Sequence, residues 1–296
     1  MSTQTNRREN EREPSGQNIH QPGRVHEPGG PNDADAQRHG EGAVLWERQG
    51  DVVWLTLSRP EALNALTWTM YEQLEQHLTA LHEDRTVRAV VVRGDGGKAF
   101  AAGTDIGQFV TFTGEDGVAY EKRIDRVVQL LEELPVPTIA AIQGYAVGGG
   151  LILATACDLR FATPGSRFAA PMARTLGNCL SLDNLRRVGH AMGFMRAKEL
   201  LFTARMMPAE EALSCGFLTA IVEDEALYHH VGEVAERIAA NAPLTVWSAK
   251  VAGRYLGQPD GERAYEDVIR RVYGSADFAE GVRAYLEKRK PRWQGR

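Results

Sequence analysis

Two glycine-bearing stretches hold the residue types and spacing best suited to chemistry, "FAAGTDI" at 100–106 and "GYAVGGG" at 144–150. Each glycine lowers helix propensity by roughly 1 kcal/mol relative to alanine, so Gly148, Gly149 and Gly150 together imply a demand for bare backbone. The triplet opens onto "LILATA", which reads as a helix. Unsatisfied N–H groups at a helix start attract negative charge, and glycine lets them approach a ligand closely. Two N–H groups, one from each stretch, would converge on an oxygen that gains charge during a reaction. Close packing of a helix on a strand, with no ligand, would use the same glycines. A dinucleotide phosphate cradle is not indicated, because neither stretch carries GxGxxG or GxxxxGK[ST] and no acidic residue follows a first βα turn suitably.

The elements that must position these stretches alternate in period. "VLWER" and "DVVWLTL" flank Gln49-Gly50 as a hairpin. Leu66, Met70, Leu74, Leu78 and Leu81 form one helical stripe. "VRAVVVRG" at 87–94 has the near-continuous apolar character of a strand buried on both faces. A glycine-rich loop follows, then a helix over about 116–134 with Tyr120, Ile124, Val127 and Leu131 inward, then the strands "TIAAI" and "CDLRFAT" around the triplet. This order predicts an α/β fold with a largely parallel sheet and crossover helices. After Ser181 the pattern becomes nearly continuous helix, so the expected organisation is a tail at 1–42, an α/β core at 43–180 and a helical region at 181–296.

The chain has 296 residues, 34 basic and 39 acidic side chains and a net charge of −5, which gives no electrostatic reason to expect a nucleic-acid partner. Cys157, Cys179 and Cys215 are widely spaced, with no CxxC pair and no histidine at ligand spacing, so neither a disulfide framework nor a metal site is expected, and a reducing cytoplasm is the simpler inference. The tail is too poor in apolar residues to offset its ordering entropy, and reads as disordered. Its His20, His26 and His39 read as chance histidines in a flexible arm, and its acids Glu9, Glu11 and Glu13 argue against a mitochondrial presequence. The apolar run from Val136 to Cys157 is about long enough to span a bilayer, but Pro137, Gln143 and the glycines break it, so no membrane partner is expected.

Taken in order, "LSRPEALNALTWTM", "VRAVVVRGDGGKAFAAGTDI", "PVPTIAAIQGYAVGGGLILATACDLRFAT", "AKELLFTARMMPAEEALSCGFL" and "AYLEKRKPRWQGR" resemble the crotonase superfamily, the enoyl-CoA hydratase/isomerase proteins, over about 44–296. The resemblance implies a spiral of ββα units with a helical C-terminal oligomerisation region, assembled as a homotrimer or dimer of trimers. It implies an acyl-CoA thioester substrate, with coenzyme A as part of the substrate and no other cofactor. By motif position the thioester oxygen would accept hydrogen bonds from the backbone N–H groups of Thr104 and Gly149. Coenzyme A contacts carry over to Ala62, Ala102, Asp105 and Ile106, and to Tyr285 and Lys288 reaching in from a neighbouring subunit.

The resemblance fails where hydratases of the family carry two glutamates. One place holds Ile152, in "GGGLI", and the other holds Met172 or, after a one-residue slip, Ala173, in "PMARTLG". A third family position, an aspartate further on, matches Asp183, whose place in a first helical turn also suits the helix dipole. Cys179 is a candidate nucleophile without an identifiable base, and Glu115, Asp116, Glu121 or Asp125 could point into the acyl pocket. The leading expectation is therefore an enoyl-CoA hydratase-like enzyme that stabilises an enolate. Isomerisation, decarboxylation and thioester hydrolysis stay open, as does a CoA-thioester binding protein that has lost turnover; an RNA-binding role is disfavoured by the acidic balance.

Overall fold

The computed structural model describes residues 40–296, so most of the expected tail, with His20, His26 and His39, lies outside the described residues. β1 (Ala43–Gln49) and β2 (Val52–Ser58) form the expected antiparallel hairpin. α1 (Trp68–Glu83) follows, started by Thr67, whose hydroxyl accepts the Met70 N–H at 3.2 Å. The predicted stripe of Leu66, Met70, Leu74, Leu78 and Leu81 is buried throughout.

The middle of the chain repeats one unit three times. β3 (Ala89–Gly94), β5 (Thr138–Ile142) and β7 (Leu159–Ala162) run parallel in a six-stranded sheet that β10 (Ala220–Ile221) completes, in the order β1-β2-β3-β5-β7-β10. β4 (Ala99–Ala101), β6 (Tyr145–Val147) and β8 (Arg167–Ala169) run parallel in a second sheet that β9 (Met207–Pro208) completes, in the order β4-β6-β8-β9. Each pair is followed by a helix, namely α2 (Gly114–Glu132), α3 (Gly149–Ala156) and α4 (Leu182–Met192). Each turn of this spiral contributes one strand to each sheet, which fixes α3 against β4 and β6 and brings the two glycine stretches side by side.

The apolar continuity of β3 follows from its two covered faces. Val90 and Val92 enter the large core beneath α1, α2 and α3, whereas Ala89 and Val91 pack on the opposite face. That second face is covered by Leu227, Val231 and Ala235 of α7 (Leu227–Ala239).

The expectation of nearly continuous helix after Ser181 needs correction. α5 (Phe194–Thr203) is followed by β9 (Met207–Pro208), which pairs antiparallel with Arg167 and Phe168. α6 (Ala209–Ser214) is followed by β10 (Ala220–Ile221), which pairs parallel with Phe161 and Ala162. Strands of two residues contain no readable alternation, so only their partners in space reveal them. α8 (Pro243–Tyr255), α9 (Gly261–Tyr273) and α10 (Ala276–Leu286) complete the chain. The buried side chain of Lys250 ties α8 to the loops before β5 and β7, with Nζ donating to Val136 O at 2.9 Å and pairing with Asp158 at 2.8 Å.

Candidate active site

Thr104 is set by the loop that leads into α1. Leu63 and Asn64 both adopt left-handed backbone, at φ 52° and 56°. Asn64 is fully buried; its amide donates to Asp95 O at 2.9 Å and Ala99 O at 2.7 Å, and its Oδ1 accepts the Arg59 N–H at 2.9 Å. The loop so held presents Leu66 to the strand end after β4: Leu66 N–H donates to Gly103 O at 2.8 Å, and Asp105 N–H donates to Leu66 O at 2.9 Å. In such a parallel bridge the residues flanking Thr104 make both bonds, so the Thr104 N–H points away from Leu66.

Gly149 is the first residue of α3, where N–H groups have no intrahelical acceptor. Gly148 precedes it at φ 52° and ψ −117°, a conformation that side chains disfavour. A Cβ at 149 would lie 2.8 Å from Tyr71 Oη and 3.1 Å from Thr104 Oγ1, and one at 150 would lie 2.0 Å from Ala101 O. Gly150 thus packs helix on strand, while Gly148 and Gly149 are bare backbone lining a cavity.

That cavity is about 380 Å³ and is lined by both Thr104 and Gly149. Its walls are largely apolar, with Phe109 and Ile124 on one side and Ile152 and Met172 on another. Thr104 Oγ1 lies 3.0 Å from Tyr71 Oη and accepts from Tyr120 Oη at 3.1 Å. Burial is the main cause that raises both phenol pKa values, that of Tyr71 well above its ordinary value, so both stay protonated. The Tyr120 ring is gripped edge-on by Trp68 at 5.6 Å and Phe109 at 5.0 Å. Tyr71 is the member of this hydroxyl cluster that the helical stripe did not identify.

The four acids of the Glu115–Asp125 stretch separate cleanly. Glu115 is exposed, and Asp116 closes a capping box with Thr113 at the start of α2. Asp125 accepts from Ser181 Oγ at 2.7 Å and faces Arg187 at 3.5 Å. Glu121 lines the cavity, with Oε2 accepting the Ser181 N–H at 2.9 Å. Burial raises the Glu121 pKa first and the nearby charge of Asp125 adds to this, while the Ser181 N–H works against both.

Asp183 stands elsewhere. It is half-exposed in the first turn of α4, paired with Arg186 at 2.8 Å, in a separate depression shared with His190. The structure therefore does not bring Asp183 into the cavity of Thr104 and Gly149; its position is that of a dipole-complementing surface acid. Cys179 is on the cavity rim, exposed, and no hydrogen bond joins it to a base among the described residues.

Of the coenzyme A candidates, Ala102 and Ile106 line the cavity, and the Ala102 N–H donates to Leu63 O at 3.0 Å, which draws Ala62 alongside. Asp105 has both oxygens engaged, Oδ1 by the Gly107 N–H at 3.0 Å and Oδ2 by Arg59 at 2.7 Å. These contacts, the Gly107 bond foremost, hold its carboxyl below the usual range. Tyr285 and Lys288 are exposed at the end of α10 and are not brought to the cavity within one chain. Among the described residues there is no cluster able to hold a metal ion and no helix long and apolar enough to cross a membrane. The apolar run from Val136 to Cys157 is β5, β6 and α3.

The enoyl-CoA hydratase/isomerase family model matches residues 47–296. The chain is 33% identical to the short-chain-enoyl-CoA hydratase of Clostridium acetobutylicum over 250 residues, covering 83% of this chain and 95% of that protein. It is 32% identical to the crotonyl-CoA hydratase of Syntrophomonas wolfei, covering 83% of this chain and 96% of the relative. A solved enoyl-CoA hydratase/carnithine racemase of Magnetospirillum magneticum superposes with a TM-score of 0.81 at 34% identity, over 86% of this chain and 96% of that one. The spiral of ββα units, the paired glycine stretches and these likenesses agree, and the chain belongs to the enoyl-CoA hydratase/isomerase family of the crotonase superfamily.

Proposed function

We propose that the chain is an enoyl-CoA hydratase-like enzyme that binds the CoA thioester of a 2-enoyl acid, with the thioester oxygen between the N–H groups of Thr104 and Gly149. The observation that supports this reading is that Thr104, whose N–H is turned away from Leu66, and Gly149, at the first position of α3, line the same largely apolar cavity. Adding water across the C2–C3 double bond pushes an electron pair onto the thioester oxygen. Fixed donors aimed at that oxygen stabilise the enolate, and losing one such donor costs about 10²- to 10³-fold in rate. The apolar walls accept the acyl chain, while Ala62, Ala102, Asp105 and Ile106 border the mouth where coenzyme A would lie. Coenzyme A enters as part of the substrate, with no separate cofactor required.

Assembly as a homotrimer or dimer of trimers, in a reducing cytoplasm, would let Tyr285 and Lys288 of one subunit reach the coenzyme A of the next. A cation at that place suits the phosphates. The second reading is a CoA-thioester binding protein without turnover, favoured by Ile152 and Met172, which line the cavity and carry no ionisable group.

Crotonyl-CoA separates the two. Loss of its conjugated-thioester absorbance is the expected result, whereas tight calorimetric binding with no loss supports the second reading. Gly149→Pro removes one donor outright. It is expected to lower hydration by about 100-fold or more, and full turnover in a folded Gly149→Pro protein overturns the donor assignment.

A further inference from the structure

Backbone donors stabilise charge but cannot move protons at the acyl chain, and neither can Ile152 nor Met172 or Ala173, the residues that the resemblance sets at the family's glutamate positions. Among the described residues that line the cavity, Glu121 is the one carboxylic acid. We infer that Glu121 is the catalytic acid–base of this site, taking a proton from the attacking water and returning it to C2. This inference rests on the thioester reading above.

The geometry supports it from three sides. Glu121 follows Tyr120, whose hydroxyl donates to Thr104, so this turn of α2 is bonded to the same residue that supplies one oxyanion donor. Ile124, almost one turn on, lines the same cavity. Ser181 N–H fixes Oε2 at 2.9 Å, and Oε1 has no protein donor among the described residues. Nor does a cation pair with this carboxylate among them. Arg187 of α4 faces this part of α2 but is held by Asp125 at 3.5 Å and Glu132 at 2.9 Å.

The ionisable groups around Glu121 are Tyr120 and Asp125 of α2, Tyr71 of α1, Cys179 of the rim and Arg187 of α4. Burial and Asp125 both disfavour the charged form, which moves the carboxyl towards the range where one group serves as base and then as acid. The two phenols stay protonated and are no match for that role. The steps balance with one carboxyl. The Glu121 carboxylate removes a proton from water as the water oxygen bonds to C3. The π pair moves to form the C2 enolate, with its charge on the thioester oxygen. The carboxylic acid then protonates C2, regenerating carboxylate and leaving a 3-hydroxyacyl thioester.

Glu121→Gln keeps an acceptor for Ser181 and removes the proton-transfer function. Crotonyl-CoA hydration is expected to fall by about 10²- to 10⁴-fold. Calorimetric affinity for butyryl-CoA should stay within about threefold. Glu121→Asp should retain partial activity, with the acid limb of its kcat/KM profile displaced. Deuterium incorporation at C2 of butyryl-CoA in D2O gives a reading independent of the net reaction; wild type should incorporate label and Glu121→Gln should not. Unchanged hydration or exchange in Glu121→Gln overturns the assignment, as does collapse of both in Asp183→Asn instead. If wild type binds butyryl-CoA but neither hydrates nor exchanges, the Glu121 role is wrong while thioester binding stands. No binding of either thioester overturns the thioester reading itself.

Discussion

A methyl group at position 149 would meet the Tyr71 hydroxyl at 2.8 Å, inside a cluster where that phenol is fully buried. Gly149→Ala is therefore expected to destabilise the fold by about 1–3 kcal/mol through overpacking, and adding Tyr71→Phe should recover part of that loss; urea midpoints of the two variants check it. Thr104→Val keeps the backbone donor but strips both phenols of their shared partner. It should cost about 1–3 kcal/mol, while Thr104→Ser restores the hydroxyl and the stability. Glu121 works in the opposite sense. Its folded pKa lies above the unfolded one, so the native state binds more protons and stability falls as pH rises from the unfolded pKa through the folded one. Above that window the charged form disfavours the fold, so Glu121→Gln should hold or raise the thermal midpoint at neutral pH, and a lower midpoint contradicts this. At this scale the glycines were legible because bare backbone is a sequence property. Tyr71 was not, because it meets Thr104 across 33 positions of chain. Glu121 was visible only as one of four acids, since nothing in a linear sequence shows which side of a helix meets a cavity and which meets a capping threonine.

At the scale of elements, the site depends on the loop that Asn64 holds in place before α1. Asn64 satisfies two carbonyls and one N–H from the interior, in a left-handed backbone that alanine tolerates poorly. Asn64→Ala should cost about 3 kcal/mol, because one buried and two half-buried groups lose their partners at once. Through Leu66 that loosening reaches the Thr104 N–H, so kcat is expected to fall further than KM rises, which steady-state kinetics on crotonyl-CoA will show. The long periodic elements, α1, α2 and β3, were readable because each buries a repeating face. β4 was hidden inside a glycine-rich loop, and β9 and β10 inside the nearly continuous helical pattern after Ser181, because strands of three or two residues have no period of their own.

For the molecule as a whole, a buried ammonium on α8 joins the C-terminal helical region to the α/β part. Lys250 is 5% exposed, and burial pulls its pKa down while Asp158 opposes that. Lys250→Met leaves Asp158 bonded to Thr138 alone and should destabilise the chain by about 2 kcal/mol, with faster hydrogen exchange in α8 than in β3. Lys288→Ala tests the proposed assembly. It should raise KM for CoA thioesters by up to about fivefold with little change in kcat, and only in the oligomer. The two smallest strands also govern the order of events at the ribosome. β9 and β10 are made after the strands they cover, so a growing chain displays the open edges of β8 and β7 until residues 207 and 221 have emerged. Unpaired edges are templates for association between chains. Nascent chains stalled before β9 should thus engage chaperones strongly, and that engagement should drop once Ile221 clears the exit tunnel.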